Sequence, residues 1–237
     1  MNLRYQICAC LYQGTACEVF LVRDIVTSQL YALKRIVRHH AKFSDAYLRA
    51  VYQREACMLG WLQHERIPHL ISAFEEEQYR CILMEYIPGV SLSRIQGCSS
   101  EQKRLQWCLQ LGELLQYLHE QQIVHLDIKP SNLQYWKEMS IYWILRPAVF
   151  CRNRMSQPRC LPGYSPKEAG TLNCDERSDI YSFGRTCYVL RHGRFPADGA
   201  CRDALDALLL HCCQEERNQR FSSMQAVMKE LVRLCEG

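Results

Sequence analysis

Short apolar runs broken by turn residues dominate the first third of the chain. Residues 5–11, 17–24 and 30–36 are apolar or mixed segments of strand length, the pattern of an antiparallel meander. Over 46–62 the period changes: Val51, Ala56, Leu59 and Leu62 recur at helical spacings and predict a helix laid against that sheet. Residues 70–74 and 79–86 predict two further strands, with Glu75-Glu76-Glu77-Gln78 as their polar turn. Pro88-Gly89 breaks the pattern and predicts a hinge between two lobes. Beyond it helical spacing takes over, with Leu105, Cys108, Leu111, Leu115 and Leu118 along one face of 101–122. Residues 178–191 and 222–234 predict two more helices, the second opened by a serine cap. Between them and the first long helix, 147–174 has little periodicity and contains Pro158, Pro162 and Pro166. Irregular segments of that length are uncommon unless they bind or regulate. The fold class is therefore α+β, a strand-rich lobe over 1–86 followed by a mostly helical lobe over 87–237.

Composition narrows the classes of function. A chain of 237 residues, 48% hydrophobic and 23% charged, can bury a substantial core. Its net charge of +4, from 29 basic and 25 acidic side chains, is too weak to imply nucleic acid, and no basic block stands out. No apolar run reaches the ~18 residues of a membrane span. Fifteen cysteines are many, but the odd count and the lack of a leader-like start argue against a disulfide framework. No cysteine pair has zinc-like spacing, so the expectation is small buried hydrophobes in a reducing, cytoplasmic setting.

The stretch His125-Leu126-Asp127-Ile128-Lys129-Pro130-Ser131-Asn132 carries the chemistry. Asp127 can accept a hydroxyl proton, Lys129 can neutralise a phosphate, and Asn132 has an oxygen able to hold a metal ion. Other signals stand in order around it. Ala32-Leu33-Lys34 precedes Glu55 by 21 residues, and Met84-Glu85-Tyr86-Ile87 precedes Pro88-Gly89. Downstream come Leu161-Pro162-Gly163-Tyr164-Ser165-Pro166-Lys167-Glu168, then Ser178-Asp179-Ile180-Tyr181-Ser182-Phe183-Gly184 and Asn218-Gln219-Arg220-Phe221.

Together these motifs, from about Tyr5 to Leu234, resemble the Hanks-type (eukaryotic-like) serine/threonine protein kinase family in its bacterial style. The resemblance implies a two-lobed kinase fold and a role for each residue. Lys34, paired with Glu55, would grip nucleotide phosphates, with Gly14 in the loop that covers them and Val19 covering the adenine. Ala32 and Met84 would line the adenine pocket, and the backbone of Glu85 and Ile87 would present its hydrogen-bonding groups. Asp127, Lys129 and Asn132 would be catalytic, with Asn132 the one candidate metal ligand. Glu168 would pair with Arg220, and Asp179 would accept hydrogen bonds from the backbone around His125-Leu126. His125 would then be a packed core residue.

The chain departs from the pattern in several places. Where three glycines usually cradle phosphates it has Tyr12, Gly14 and Cys17. Leu145-Arg146-Pro147 stands where a metal-binding Asp is expected, and no Asp occurs from Ile128 through Asn173. Leucine offers no oxygen to Mg2+. Gln134 replaces an apolar residue expected beneath adenine, and Leu126 an Arg that contacts phosphorylated loops. The expectation is a catalytically impaired pseudokinase that needs no cofactor and engages a protein partner. The alternative is an active serine/threonine kinase using ATP with Mg2+ or Mn2+ through atypical metal binding. A small-molecule kinase on the same scaffold is a third reading.

Overall fold

The computed structural model describes residues 4–95, 99–136, 140–143, 149–150, 163–170, 174–197 and 201–236. The chain divides into two compact units, Met1–Pro88 and Gly89–Gly237, so the break falls at the Pro88-Gly89 pair, two residues beyond the boundary expected after Tyr86.

The first unit is built on a five-stranded antiparallel sheet in the order β1-β2-β3-β5-β4. Its strands are β1 (Tyr5–Gln13), β2 (Cys17–Asp24), β3 (Leu30–Val37), β4 (Leu70–Glu75) and β5 (Tyr79–Glu85). Side chains alternate across a pleated strand, so each run feeds two faces. One face gathers Val22, Leu33, Cys81 and Leu83, flanked by Tyr5, Phe20, Tyr31, Phe74 and Tyr79. The Arg35 guanidinium lies 5.2 Å from the Phe20 ring centre and 5.0 Å from that of Tyr79, so its stem is packed rather than solvated. Ala32, Lys34 and Ile36 alternate to the opposite face, where all three are buried.

Helix α1 (Asp45–Trp61) packs on that sheet, opened by Ser44, whose hydroxyl accepts from the Tyr47 N–H. The residues it buries are Leu48, Tyr52, Glu55, Met58 and Leu59, whereas Val51 and Ala56 are only half-buried. Of the expected positions Leu59 and Leu62 are buried, and the rest of the buried face includes a charged residue, Glu55, which apolar spacing does not register. On β5, Arg80 is fully buried and donates to Asp45 in the first turn of α1 at 2.6 Å, which pins the helix start to the sheet.

The second unit is mainly helical. The short strand β6 (Val90–Ser91) leads into α2 (Leu92–Ile95), and α3 (Glu101–Glu120) follows, capped by Ser100. Strand β7 (Ile123–Val124) pairs with β10 (Val149–Phe150), while β8 (Leu133–Trp136) lies between β6 and β9 (Ser140–Trp143). Helix α4 (Glu176–His192) starts with a reciprocal capping box between Asp175 and Ser178 and ends at Gly193, whose φ of 70° closes the last turn. Two helices complete the unit, α5 (Ala204–Cys212) and α6 (Met224–Glu236). The serine cap of α6 is Ser223, whose hydroxyl accepts from the Ala226 N–H at 3.2 Å.

Helices α3, α4 and α6 pack on one another, and α3 meets α6 at Gly112. A Cβ there would run into the Met228 sulfur, so glycine leaves room for the methionine side chains of α6 against α3. Helix α5 escapes the periodicity reading because nine residues are too few to establish a period, although Asp203 caps it. Arg191, near the end of α4, bonds Glu101 at the start of α3 (2.6 Å), Asp203 (2.5 Å) and the fully buried Asp206 (2.6 Å). Asp206 also meets His192 at 2.7 Å.

The cysteines correct an expectation. Cys81, Cys108, Cys187 and Cys212 are buried hydrophobes, but Cys8, Cys10, Cys57, Cys201 and Cys235 are exposed. Composition alone cannot tell a core thiol from one on an outer face. No helix among the described residues is long and apolar enough to cross a membrane.

Candidate functional site

Strand register assembles the candidate residues of the first unit. Val19 stands opposite Lys34 across β2 and β3, and Ala32 opposite Met84 across β3 and β5. With period-2 alternation, these four share the sheet face on which α1 packs. There the Lys34 ammonium reaches both carboxylate oxygens of Glu55, at 2.6 and 2.5 Å, and both residues are buried. A buried pair of this kind survives only when each charge satisfies the other.

Tyr12 lies opposite Val19 in the same register. Its ring occupies the space beside Gly14: a Cβ on Gly14 would lie 2.7 Å from the Tyr12 hydroxyl and 2.8 Å from the ring edge. The Gly14 N–H is spent on the Cys17 carbonyl at 2.9 Å, so the turn closes as a hairpin rather than presenting that donor to a phosphate. Glu85 is exposed, and its backbone N–H is already donated to the His69 carbonyl at 2.9 Å, which leaves its carbonyl as the group it can present. Ile87 is buried.

In the second unit, the loop from His125 to Asn132 is held from below by Asp179 in the first turn of α4. The buried Asp179 carboxylate accepts the backbone N–H of His125 at 2.7 Å and of Leu126 at 2.8 Å, and meets His119 Nε2 at 3.1 Å. Leu126 has φ of 62°, a left-handed conformation that costs a side-chain-bearing residue roughly 1–2 kcal/mol. The Asp179 acceptors offset that cost. His125 is fully buried, and burial drives its imidazole down to about 4 against the pull of the Asp179 and Asp127 carboxylates. Its Nδ1 accepts the Asp127 N–H at 3.1 Å, which places the ring proton of the neutral form on Nε2. His125 is thus a positioning group, not a base.

The loop's chemical residues converge. Lys129 Nζ lies 2.8 Å from Asp127 Oδ1, and the Asn132 carboxamide nitrogen donates to the Asp127 carbonyl at 2.7 Å. Thr186 of α4 donates to the Ile128 carbonyl at 3.2 Å, a second anchor from the same helix. Asn132 therefore brings one neutral oxygen to any metal, and Leu145, Arg146 and Pro147 lie outside the described residues. Among the described residues Asn132 offers a single neutral oxygen, short of the several oxygen ligands in near-octahedral geometry that Mg2+ demands.

Glu168, ahead of α4, is tied to the buried Arg220. Arg220, fully buried in its side chain, forms a two-pronged pair with Glu168 at 2.5 and 3.3 Å. It also donates to the carbonyls of Gln214 (2.7 Å), Glu215 (2.9 Å) and Arg177 (3.0 Å), and lies 4.9 Å from the Tyr181 ring centre. Burial would raise the Glu168 carboxyl, but the hydrogen bond and charge of Arg220 hold it below its usual value. Gly163, at φ of 81°, accepts the Arg185 Nε–H at its carbonyl at 2.7 Å, and Tyr164 packs edge-on against Phe195.

Sequence reasoning missed His119, beneath Asp179, and Thr186, whereas Tyr12 was expected to add a side chain where the covering loop needs room, and its ring stands beside Gly14. His119 and Thr186 carried no signal, because their roles depend on tertiary proximity.

Comparison with known proteins agrees with this arrangement. The family model described as "Protein kinase domain" matches residues 5–235. Among curated proteins, the serine/threonine-protein kinase pkn2 of Myxococcus xanthus is 29% identical over 210 residues, covering 83% of this chain and 25% of that protein. The serine/threonine-protein kinase PknB of Mycolicibacterium smegmatis is 26% identical over 272 residues, covering 99% and 43%. PrkC of Bacillus subtilis, also a serine/threonine-protein kinase, is 27% identical over 205 residues, covering 83% and 31%. The chain thus spans between a quarter and under half of the length of these relatives. Among solved structures, that of Rad53 in complex with AMP-PNP superposes with a TM-score of 0.76 at 18% identity, covering 96% of this chain and 64% of that one. The fold is therefore the two-lobed α+β kinase fold.

Proposed function

This chain belongs to the protein kinase domain family, of the Hanks type found in bacteria, and on that premise we propose that it is a pseudokinase, a protein-interaction or regulatory module whose chemistry is impaired. The observation that carries this reading is the absence of any Asp from Ile128 through Asn173. Phosphoryl transfer depends on neutralising charge that develops on the transferred group, usually the largest catalytic term, and the principal metal ligand supplies that neutralisation. Asn132 alone does not replace it. The ties that hold the fold, Asp179 under the loop and Arg220 against Glu168, are complete. A chain that keeps its architecture and lacks its metal ligand is suited to presenting a surface to a protein partner.

One observation favours a second reading. Lys34 and Glu55 form a close buried pair, and Asp127 sits against Lys129, an arrangement an active serine/threonine kinase with atypical metal use would also need. Calorimetric titration with ATP, with and without Mg2+ or Mn2+ and with Lys34→Ala as control, separates the two. Pseudokinase function predicts no saturable, metal-dependent binding by folded protein. Binding that requires both metal and Lys34, followed by ATP-dependent labelling of a protein substrate that disappears in Asp127→Asn, would overturn it.

A further inference from the structure

The turn between β1 and β2 retains a single glycine, Gly14, and that glycine is engaged on both sides. Its N–H is donated to the Cys17 carbonyl at 2.9 Å. The space left by its missing side chain is taken by Tyr12. A Cβ on Gly14 would lie 2.7 Å from the Tyr12 hydroxyl, 2.8 Å from the ring edge and 3.0 Å from the carbon that bears the hydroxyl. The room that glycine gives a phosphate-covering turn is therefore spent on seating a ring from the adjoining strand.

Strand register fixes the face on which that ring lies. β1 shifts against β2 between Cys10 and Tyr12, with Leu11 as the extra residue, and a shift of this kind re-aims the side chains that follow it. Beyond the shift Tyr12 stands opposite Val19, and Val19 opposite Lys34. Directly opposed residues share a face, so Tyr12 belongs to the side of the sheet that carries Val19, Lys34, Ala32 and Met84. A phosphate held by a turn must approach backbone N–H groups to about 2.7–3.2 Å, and so needs the space directly beside the turn. Here the phenol ring stands in that space.

We infer that Tyr12 is a built-in plug, the side chain that decides whether this face admits a nucleoside diphosphate. The inference rests on the pseudokinase reading and deepens it. The missing Asp accounts for a lack of turnover, whereas Tyr12 acts earlier, when the phosphates enter. A built-in clash is an economical way to reject a ligand whose other contacts remain. Those contacts do remain: Val19, Ala32 and Met84 still share one face, with the Lys34 ammonium beside them. The ring excludes by volume rather than by charge, so the block is independent of any metal ion.

Calorimetric titration with ADP in the presence of EDTA tests this, since without metal the missing Asp has no bearing on the result. Wild type and Tyr12→Phe, which keeps the ring, should show no saturable binding up to about 1 mM ADP. Tyr12→Gly and Tyr12→Ala should bind saturably, at least about tenfold tighter than that limit. In both, ADP should slow hydrogen exchange at the amides of residues 12–19, where a ligand would cover the turn. Tyr12 is 38% exposed, so removing its ring opens no cavity in the core, and melting curves equal to wild type should show that every form folds. Folded Tyr12→Gly and Tyr12→Ala that still fail to bind ADP overturn the plug and leave the pseudokinase reading intact. Wild type that binds ADP as tightly as the variants overturns it too, as does protection confined to residues away from the turn. Binding by Tyr12→Phe overturns the ring as the cause and assigns the block to the hydroxyl. Failure of the pseudokinase reading shows in a different measurement, metal-dependent ATP binding by wild type that requires Lys34.

Discussion

Replacing Asp179 should cost the second unit more stability than any other single polar change near the loop. In Asp179→Ala, two buried backbone donors, at His125 and Leu126, lose a charged acceptor at 2.7 and 2.8 Å. Hydrogen bonds to a charged group contribute about 1.5–3 kcal/mol each, so the pair represents roughly 3–6 kcal/mol. Some returns when Leu126 relaxes from its φ of 62°, a conformation costing roughly 1–2 kcal/mol. The net loss expected is about 4 kcal/mol. Asp179→Asn keeps one oxygen but turns an amide toward the other donor, and should lose about half as much. Urea unfolding followed by the fluorescence of Trp107, buried in α3, reports the change, and hydrogen exchange at the His125 and Leu126 amides localises it. A loss below about 1 kcal/mol for Asp179→Ala, with unchanged denaturant slope, would refute the claim that this carboxylate holds the loop.

Lys34→Met should destabilise the first unit by about 3–5 kcal/mol by stranding the buried Glu55 charge, while Lys34→Met/Glu55→Leu should recover most of it; thermal melts of the two variants decide. Glu168 should support stability above the ordinary carboxylate range near 4.5, with its contribution lost as pH falls through its depressed folded value. Acid titration of unfolding should therefore show the difference between wild type and Glu168→Gln shrinking below that range. His125 stays neutral in the fold down to about 4, while its unfolded form takes up a proton near 6.5. Stability should thus fall as pH drops between those values, by at most about 3 kcal/mol, and His125→Gln should flatten that slope in a pH series of urea melts.

Much of this architecture is legible from residue order. The strands of the first unit follow from alternation, and their observed ends lie within two residues of the expected ones, as for β1, expected over 5–11 and found over Tyr5–Gln13. Long helices such as α3 declare themselves through leucines at helical spacing. What period analysis cannot deliver is a buried charge on an apolar face, such as Glu55 among the buried residues of α1, or a helix as short as α5. The pairings Lys34–Glu55, Asp179 with the loop backbone, and Glu168–Arg220 were legible because each residue sits in a motif with fixed order. His119 beneath Asp179 was not, because nothing local distinguishes it from any histidine near a helix end. The cysteines show the reverse limit: their number suggested burial, while topology put Cys8 and Cys10 on an open edge.

The Arg191 cluster bears on the order in which contacts form in time. Glu101 lies 90 residues before Arg191, and Asp203 and Asp206 lie beyond it, so the cluster closes only after α3, α4 and α5 have all docked. Contacts that unite distant segments come late, because the intervening chain must be ordered first. A late contact is absent from the folding transition state and so acts on escape from the native state. Weakening it at the Glu101 arm should speed unfolding while leaving refolding nearly unchanged. On that reasoning, the lifetime of the folded second unit is set partly by a latch far from the loop that identifies its family.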